Sequence, residues 1–217
     1  MELRENEIIL FQGDSITDGN RGRNDDLNHI MGHGYQYIVG AKLMADNLEK
    51  NISLVNRGVS GNRISDLYAR WIEDAINVKP TILSVLIGVN DAWWACDKNS
   101  GSNAERFEKI YKLMLDEILE DNQKLKIVLM EPFVGDSFDN QERYMFFRRH
   151  TQESSKIVKK ISDEYNAVFV PLQDMFDEMS KVKSSKSLIW DGVHPTILGH
   201  ELIARKWLEC VEKRLDI

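Results

Sequence analysis

Residues 8–19 read IILFQGDSITDG, and this stretch determines how the rest of the chain can be arranged. The run from Ile8 to Phe11 is apolar and bounded by polar residues, which is typical of a strand buried on both faces of a sheet. The strand pattern stops at Gly13, and Ser15 follows two residues later. Open α/β sheets place their ligands beyond the carboxyl ends of their strands. The stretch therefore predicts a rigidly held, exposed serine hydroxyl at a ligand site.

Four further apolar runs repeat this pattern and alternate with amphipathic segments. The predicted strands are residues 52–56, 81–87, 126–130 and 167–170. The predicted helices are residues 35–48, 64–76, 107–119 and 141–165, and a last one after residue 195. This alternation predicts an α/β fold with a parallel sheet covered by helices on both faces. No linker, low-complexity tract or internal repeat interrupts it, so we expect one domain over residues 1–217.

The segment from residue 18 to residue 34 breaks the alternation, because it is rich in glycine and charge. We interpret it as a surface loop over the edge of the sheet. Its aspartates and histidines, Asp25, Asp26, His29 and His33, do not have the spacing of metal ligands. They are interpreted as solvated loop residues.

The composition limits the possible partners and location. A net charge of -7 at pH 7 argues against binding nucleic acid or anionic membranes, and no apolar run approaches membrane-spanning length. Cys96 and Cys210 belong to no metal or redox motif, which indicates free thiols in a reducing compartment. The first seven residues are too acidic and polar for a signal peptide. We therefore expect a cytoplasmic protein.

Polar residues suited to acyl transfer follow the first three strands and precede the last helix. Hydrolysis of an ester through a serine requires a base that takes the hydroxyl proton and a group that orients the base. Ser15 supplies the hydroxyl, His194 can be the base, and Asp191 can orient it from three residues away. The backbone N–H groups of Ser15 and Gly61 and the side-chain amide of Asn90 would stabilise the oxyanion.

These residues stand in four motifs: GDS at 13–15, VSGN at 59–62, GVND at 88–91 and DGVHP at 191–195. In order and spacing the motifs resemble the four blocks of the SGNH (GDSL-type) hydrolases. The resemblance extends from the first strand to the last helix. It implies a flavodoxin-like fold, a three-layer α/β/α sandwich with a five-stranded parallel sheet.

The resemblance also implies roles for individual residues. It assigns the nucleophile to Ser15, the partners of the triad to Asp191 and His194, and the oxyanion hole to Ser15, Gly61 and Asn90. It implies an enzyme that needs neither a cofactor nor a metal ion.

Three stretches are most similar to the intracellular acetylxylan esterases and other carbohydrate acetylesterases of this family. They read GDSITD at 13–18, NRGVSGN at 56–62 and LIGVND at 86–91. Trp93 follows the third stretch, and Trp190 precedes the aspartate of the fourth motif. We expect both indoles to bind substrate, although the sequence leaves open which of Trp93 and Trp94 faces the pocket.

The predicted function is hydrolysis of short acyl esters, acetyl above all, on sugars or oligosaccharides. The expected partner is a small acylated substrate, and related acetylesterases lead us to expect a homo-oligomer. Alternatives are a thioesterase or lysophospholipase, which the same site can support, and a catalytically silent sugar-binding domain. A metal-dependent hydrolase built on Asp191, His194 and His200 is a further alternative, but the sequence has no recognisable metal motif for it.

Overall fold

The computed structural model describes residues 3–24 and 26–215. The strands are β1 (Ile8–Gly13), β2 (Ser53–Asn56), β3 (Ile82–Leu86), β4 (Lys126–Met130) and β5 (Val168–Val170). The first five α-helices are α1 (Ser15–Asp18), α2 (Tyr35–Asp46), α3 (Ile64–Ala69), α4 (Trp71–Asp74) and α5 (Val89–Lys98). The others are α6 (Ala104–Asp121), α7 (Gln141–Glu164), α8 (Gln173–Met179), α9 (Ser185–Leu188) and α10 (Ile197–Leu215).

The five strands form one parallel sheet in the order β2-β1-β3-β4-β5. This is the flavodoxin-like order, in which the chain winds one way from β1 to β2 and the other way from β3 onwards. The predicted α/β fold with a five-stranded parallel sheet is confirmed. All five strands lie within about one residue of their predicted positions.

Each face of the sheet carries its own hydrophobic core. Along β3, Ile82 and Leu86 point into one core, and Leu83 and Val85 point into the other. The first core is closed by α2 and α10, and the second by α3, α4 and α6. Full burial of a large aliphatic side chain contributes roughly 1.5–3 kcal/mol. These two cores therefore hold the strand ends, and the loops that follow them, in fixed positions.

The helix predicted over residues 64–76 is not continuous. It is divided into α3 and α4 at Arg70, whose φ and ψ are -115° and 13°. The Arg70 guanidinium donates to the carbonyl oxygen of Arg57 and to the side chains of Asn62 and Asp74. These tertiary bonds fix Arg70 outside the helix, although the apolar periodicity continues through it.

Two further expectations were wrong in part. Asp18 was predicted in a surface loop, but it is the last residue of α1 and only 3% exposed. The helix predicted over residues 35–48 ends as α2 at Asp46, and Leu48 beyond it is 85% exposed. The buried side of α2 is formed by Tyr35, Val39 and Leu43.

The predicted domain of residues 1–217 begins and ends at residues that lie outside the described ones, as does Asp25 of the predicted loop. Its extent stays a prediction. No helix in the described ranges combines the length and apolar character needed to cross a membrane.

Candidate active site

The winding of the sheet places a crevice between the carboxyl ends of β1 and β3, because the connections after these neighbouring strands leave in opposite directions. Ser15 follows β1 and Asn90 follows β3, so both residues lie beside this crevice. In folds of this type ligands bind at such a point. The topology alone therefore marks the region around Ser15 as a candidate site.

Ser15 is the first residue of the short helix α1, and its conformation is fixed by its neighbour. The Asp14 carboxylate caps the helix by accepting a hydrogen bond of 3.0 Å from the backbone N–H of Ile16. The Ser15 side chain is half-buried, with Asp14 and Ile16 buried on either side. A residue at the first helical position has no intrahelical partner for its N–H. Within the part of the chain that the structure describes, Ser15 thus presents both a hydroxyl and a free backbone donor at one point.

A chain of hydrogen bonds connects Ser15 with His194 and Asp191. The Ser15 Oγ lies 2.9 Å from His194 Nε2, and His194 Nδ1 lies 2.7 Å from Asp191 Oδ2. The structure thus brings together the three residues that the sequence predicts as a triad. A hydroxyl, an imidazole and a carboxylate connected in this way can pass a proton from the hydroxyl to the ring.

The imidazole is held by a turn that Asp191 closes. Asp191 Oδ1 accepts backbone hydrogen bonds of 3.0 Å from Val193 and 2.7 Å from His194, which leaves Oδ2 free for the ring. The turn is also closed by a bond of 3.0 Å from the Trp190 N–H to the His194 carbonyl oxygen. One carboxylate therefore fixes both the backbone and the ring of His194.

Asp191 and His194 each favour the charged form of the other. The hydrogen bond that the imidazole donates to Asp191 raises the pKa of His194, and it outweighs burial, which alone would lower that pKa. Burial alone would raise the pKa of Asp191, but the hydrogen bonds from His194 and Val193 outweigh it and lower the pKa below its usual range. The carboxylate is therefore ionised at neutral pH, and it favours the proton on the imidazole nitrogen that faces it.

Asn90 and Gly61 lie on connected segments. The Asn90 side-chain amide donates a hydrogen bond of 3.2 Å to the carbonyl oxygen of Asn62, which joins the start of α5 to the loop after β2. One N–H of the amide is used in this way, and among the residues described the other has no acceptor. Gly61 has φ of +82°, a conformation that favours glycine, and its missing Cβ would meet no atom within 4 Å. The backbone conformation at position 61 therefore explains why a glycine stands there.

A cavity of about 310 Å³ lies beside Asp191. Its lining includes the predicted substrate-binding residues Trp93 and Trp190, together with Phe138 and Arg143. Trp190 is 56% exposed, whereas Trp93 is half-buried with its ring edge-on to Phe147. Its neighbour Trp94 does not line this cavity and lies under the Arg63 guanidinium, 4.5 Å from ring centroid to Cζ. Of the two adjacent tryptophans, Trp93 is the one that faces the cavity.

Comparison with known proteins identifies the family. Residues 11–202, which include every residue of the hydrogen-bonded chain, match the model of the GDSL-like lipase/acylhydrolase family. The chain belongs to this family. It is therefore a carboxylic ester hydrolase, and the predicted family is confirmed.

Similar proteins cover almost the whole of this GDSL-like hydrolase. An acetylxylan esterase of Geobacillus stearothermophilus is 37% identical over 213 residues, which are 96% of this chain and 95% of that protein. A solved structure of a catalytic mutant of this Geobacillus enzyme has a TM-score of 0.87 at 34% identity, covering 97% and 96% of the two chains. A putative GDSL-like lipase from Parabacteroides merdae has a TM-score of 0.91 at 34% identity, covering 96% and 97%.

Three buried ionisable groups of the GDSL-like hydrolase lie around the hydrogen-bonded chain. Burial raises the pKa of Asp14 to about 7 and that of Asp91 to about 6. Asp91 accepts hydrogen bonds from the N–H groups of Ile64 and Ser102. Burial lowers the pKa of His200 to about 4, and its Nδ1 accepts the N–H of Tyr35. Among the described residues, no three His, Cys, Asp or Glu side chains are grouped to hold a metal ion.

Sequence reasoning missed one residue of this region. Asp18 contacts the loop that carries Gly61. In the sequence, however, it is only one of several charged residues in a glycine-rich segment. The signal that could have marked it is its position one helical turn after Ser15, on a helix too short to bring it far from the site.

Proposed function

We propose that this GDSL-like hydrolase is a serine esterase that removes acetyl and other short acyl groups from the hydroxyls of sugars or oligosaccharides. The observation that carries the proposal is the hydrogen-bonded chain from Ser15 through His194 to Asp191. Such a chain is the arrangement that activates a serine hydroxyl, which is otherwise a weak nucleophile at neutral pH.

In the first half of the proposed reaction, Ser15 Oγ attacks the carbonyl carbon of the ester while its proton moves to His194 Nε2. The charge that develops on the imidazole is balanced by Asp191, which stays ionised. The tetrahedral intermediate then collapses. Its bond to the sugar oxygen breaks, that oxygen takes the proton from His194, and the acyl group remains on Ser15.

The second half repeats these steps with water. His194 takes a proton from a water molecule as the water oxygen attacks the acyl carbon, and the bond to Ser15 breaks as the proton returns to Oγ. The products are a carboxylic acid and the free serine. The reaction as proposed needs no cofactor, because the same imidazole passes the proton of Ser15 to the sugar oxygen and the proton of water to Ser15.

The oxyanion formed in both halves needs preorganised donors. We assign this role to the N–H groups of Ser15 and Gly61 and to the side-chain amide of Asn90. Within the described residues, no group accepts a hydrogen bond from the N–H of Gly61. The bond from Asn90 to the Asn62 carbonyl holds one amide proton in place, so the second has a defined direction.

The substrate class is supported by the relatives. The Geobacillus protein is called an acetylxylan esterase, and one of its solved structures is described as that of an acetyl-xylooligosaccharide esterase. Two of its structures are catalytic mutants in which an aspartate or a serine is replaced by alanine. The same residue types are proposed here for Asp191 and Ser15.

The cavity beside Asp191 supports a small acceptor. Its volume of about 310 Å³ is near the lower end of the roughly 300–1,000 Å³ that small-molecule sites span. Trp93 and Trp190 offer flat apolar surfaces, which suit the faces of sugar rings. We assign both residues to substrate binding.

Labelling with a fluorophosphonate followed by intact mass tests the nucleophile, and a series of esters tests the substrate. We expect one adduct, located on Ser15 by peptide mapping. On p-nitrophenyl esters we expect kcat/KM to fall steeply from acetate to butyrate and to be negligible at octanoate, because extra methylenes do not fit a small pocket without strain. Acetylated xylo-oligosaccharides should be hydrolysed faster than acyl-CoA or lysolipid.

Other results of these two experiments would support one of the alternative functions. A rate that rises with acyl length, or preferred turnover of acyl-CoA or lysolipid, would show a thioesterase or lysophospholipase instead. Binding of sugars without labelling or turnover would show a silent sugar-binding domain. The cytoplasmic location and the homo-oligomer stay predictions, the second of which light scattering after size-exclusion chromatography can test.

A further inference from the structure

We propose that Asp18 is a positioning residue that sets the distance between the nucleophile and the oxyanion donor of Gly61. It acts through Ser60, the neighbour of Gly61 in the loop after β2. This inference rests on the proposed function, because it concerns how two groups assigned there are held relative to each other.

Asp18 is connected rigidly to Ser15. The two residues are the last and the first of α1, and the N–H of Asp18 donates a hydrogen bond of 2.7 Å to the carbonyl oxygen of Asp14. A single helical turn allows little variation in the distance between its ends. The carboxylate of Asp18 therefore has a fixed position relative to the Ser15 hydroxyl.

The same carboxylate holds Ser60 by two hydrogen bonds. Asp18 Oδ2 accepts one of 3.0 Å from the backbone N–H of Ser60 and one of 3.0 Å from its hydroxyl. The next peptide unit in the chain carries the N–H of Gly61. Because the bond to the Ser60 N–H fixes a main-chain atom, it restricts the orientation of that peptide unit.

The loop also lies in direct contact with the backbone of α1. A Cβ at Gly58 would come within 2.4 Å of the backbone nitrogen of Asp18, so only glycine allows this approach. The Asn56 side chain donates to the Thr17 carbonyl oxygen at 2.8 Å and accepts from the Gly58 N–H at 2.9 Å. These contacts hold the beginning of the loop, whereas Asp18 holds the part next to Gly61.

The environment keeps Asp18 ionised although it is almost fully buried. Burial alone would raise its pKa, but hydrogen bonds from Arg23 and Ser60 outweigh burial and lower the pKa below its usual range. Arg23 binds both carboxylate oxygens, at 3.1 and 2.8 Å, and the N–H of Arg21 adds a bond of 3.1 Å to Oδ1. Hydrogen bonds to a charged acceptor are roughly twice as strong as neutral ones, which suits a group that must fix a loop.

Asp18→Asn tests this role with little change in shape. An amide has one acceptor oxygen. If that oxygen stays in the place of Oδ2 and keeps the two donors of Ser60, the amide NH2 takes the place of Oδ1 and faces the donors of Arg21 and Arg23, which it cannot accept, so the side chain must shift. We expect kcat on an acetyl ester to fall about 10- to 100-fold, since small misplacements in an active site have effects of this size. KM and the acid limb of the pH profile should stay unchanged, because neither the cavity nor His194 is altered.

Two further variants make the test specific. Ser60→Ala removes one of the two hydrogen bonds at an exposed position, so it should fold normally and lower kcat by about threefold or more, again with KM unchanged. Asp177→Asn is the matched control, because Arg148 binds the two oxygens of Asp177 as Arg23 binds those of Asp18. It should leave kcat unchanged.

The results separate this inference from the proposed function. If the native protein neither hydrolyses acetyl esters nor is labelled at Ser15, the proposed function fails and this inference fails with it. If the native protein is active but folded Asp18→Asn keeps its kcat, or changes only KM, only the role of Asp18 is refuted. An unchanged kcat in Ser60→Ala refutes it even where Asp18→Asn does not fold, and so does an equal loss in Asp177→Asn.

Discussion

Asp191→Asn tests the proposed reaction most directly, because it changes one atom of the carboxylate. The asparagine oxygen can still accept the backbone N–H groups of Val193 and His194, which Oδ1 of Asp191 accepts at 3.0 and 2.7 Å. The turn should therefore keep its shape. The amide nitrogen then takes the place of Oδ2, 2.7 Å from His194 Nδ1, and presents a hydrogen to the ring.

The ring must respond by changing its tautomer. With a donor beside Nδ1, the neutral imidazole carries its proton on Nε2, which lies 2.9 Å from Ser15 Oγ and can then no longer accept the serine proton. Loss of the correct tautomer in a serine triad lowers kcat about 10⁴-fold, or about 5.5 kcal/mol. The hydrogen bond that raises the pKa of His194 is lost too, so the acid limb of the remaining activity should move to lower pH.

The assay is kcat/KM for p-nitrophenyl acetate between pH 5 and 9, with the midpoint of urea unfolding measured in parallel. Asp191→Ala is the comparison variant. It removes the two backbone hydrogen bonds as well, so it should lose about 1–3 kcal/mol of stability that Asp191→Asn retains. An Asp191→Asn protein that is folded, has an acid limb like that of the native protein and loses less than tenfold in rate would refute the assignment of Asp191 and His194.

The other predictions concern three groups around the site. Ser15→Ala should abolish turnover and fluorophosphonate labelling without unfolding the protein, and residual activity above a few per cent would remove Ser15 from the mechanism. Asn90→Ala should lower kcat about 100- to 1000-fold with little change in KM, whereas a change in KM alone would make Asn90 a ground-state binding residue. Because the pKa of Asp14 is raised from 3.8 to about 7, its contribution to stability is present below pH 3.8 and is lost as the pH rises through 7. Asp14→Asn should flatten the pH dependence of urea unfolding between pH 4 and 7 by on the order of 4 kcal/mol, and an unchanged dependence would contradict this.

The fold could be predicted from the sequence where burial is uniform. The run at residues 81–87 is apolar because β3 is buried on both faces, so its pattern contains all the information needed. The break at Arg70 could not be predicted in this way. It depends on acceptors contributed by Arg57 and Asn62, which meet the guanidinium only in the folded protein.

The residues of the candidate site also divide into those that could be predicted from the sequence and those that could not. Ser15, Asp191 and His194 could be named because their chemistry requires particular residue types in recognisable motifs, and the structure brings them within hydrogen-bonding distance. Asp18 could not be named, because its function would depend on Ser60, which is 42 residues away along the chain. An aspartate in a glycine-rich segment is interpreted as solvated as long as its hydrogen-bond partner is not known.

The sequence separation within the hydrogen-bonded chain has a consequence for synthesis of the protein. Asp191 and His194 are three residues apart and can meet within one turn, but Ser15 is 179 residues from His194. A growing polypeptide therefore contains the proposed nucleophile long before it obtains the base proposed to activate it. By the proposed mechanism a polypeptide that still lacks His194 cannot hydrolyse esters, so we expect activity in a timed translation reaction to appear only when these two distant parts of the chain have docked.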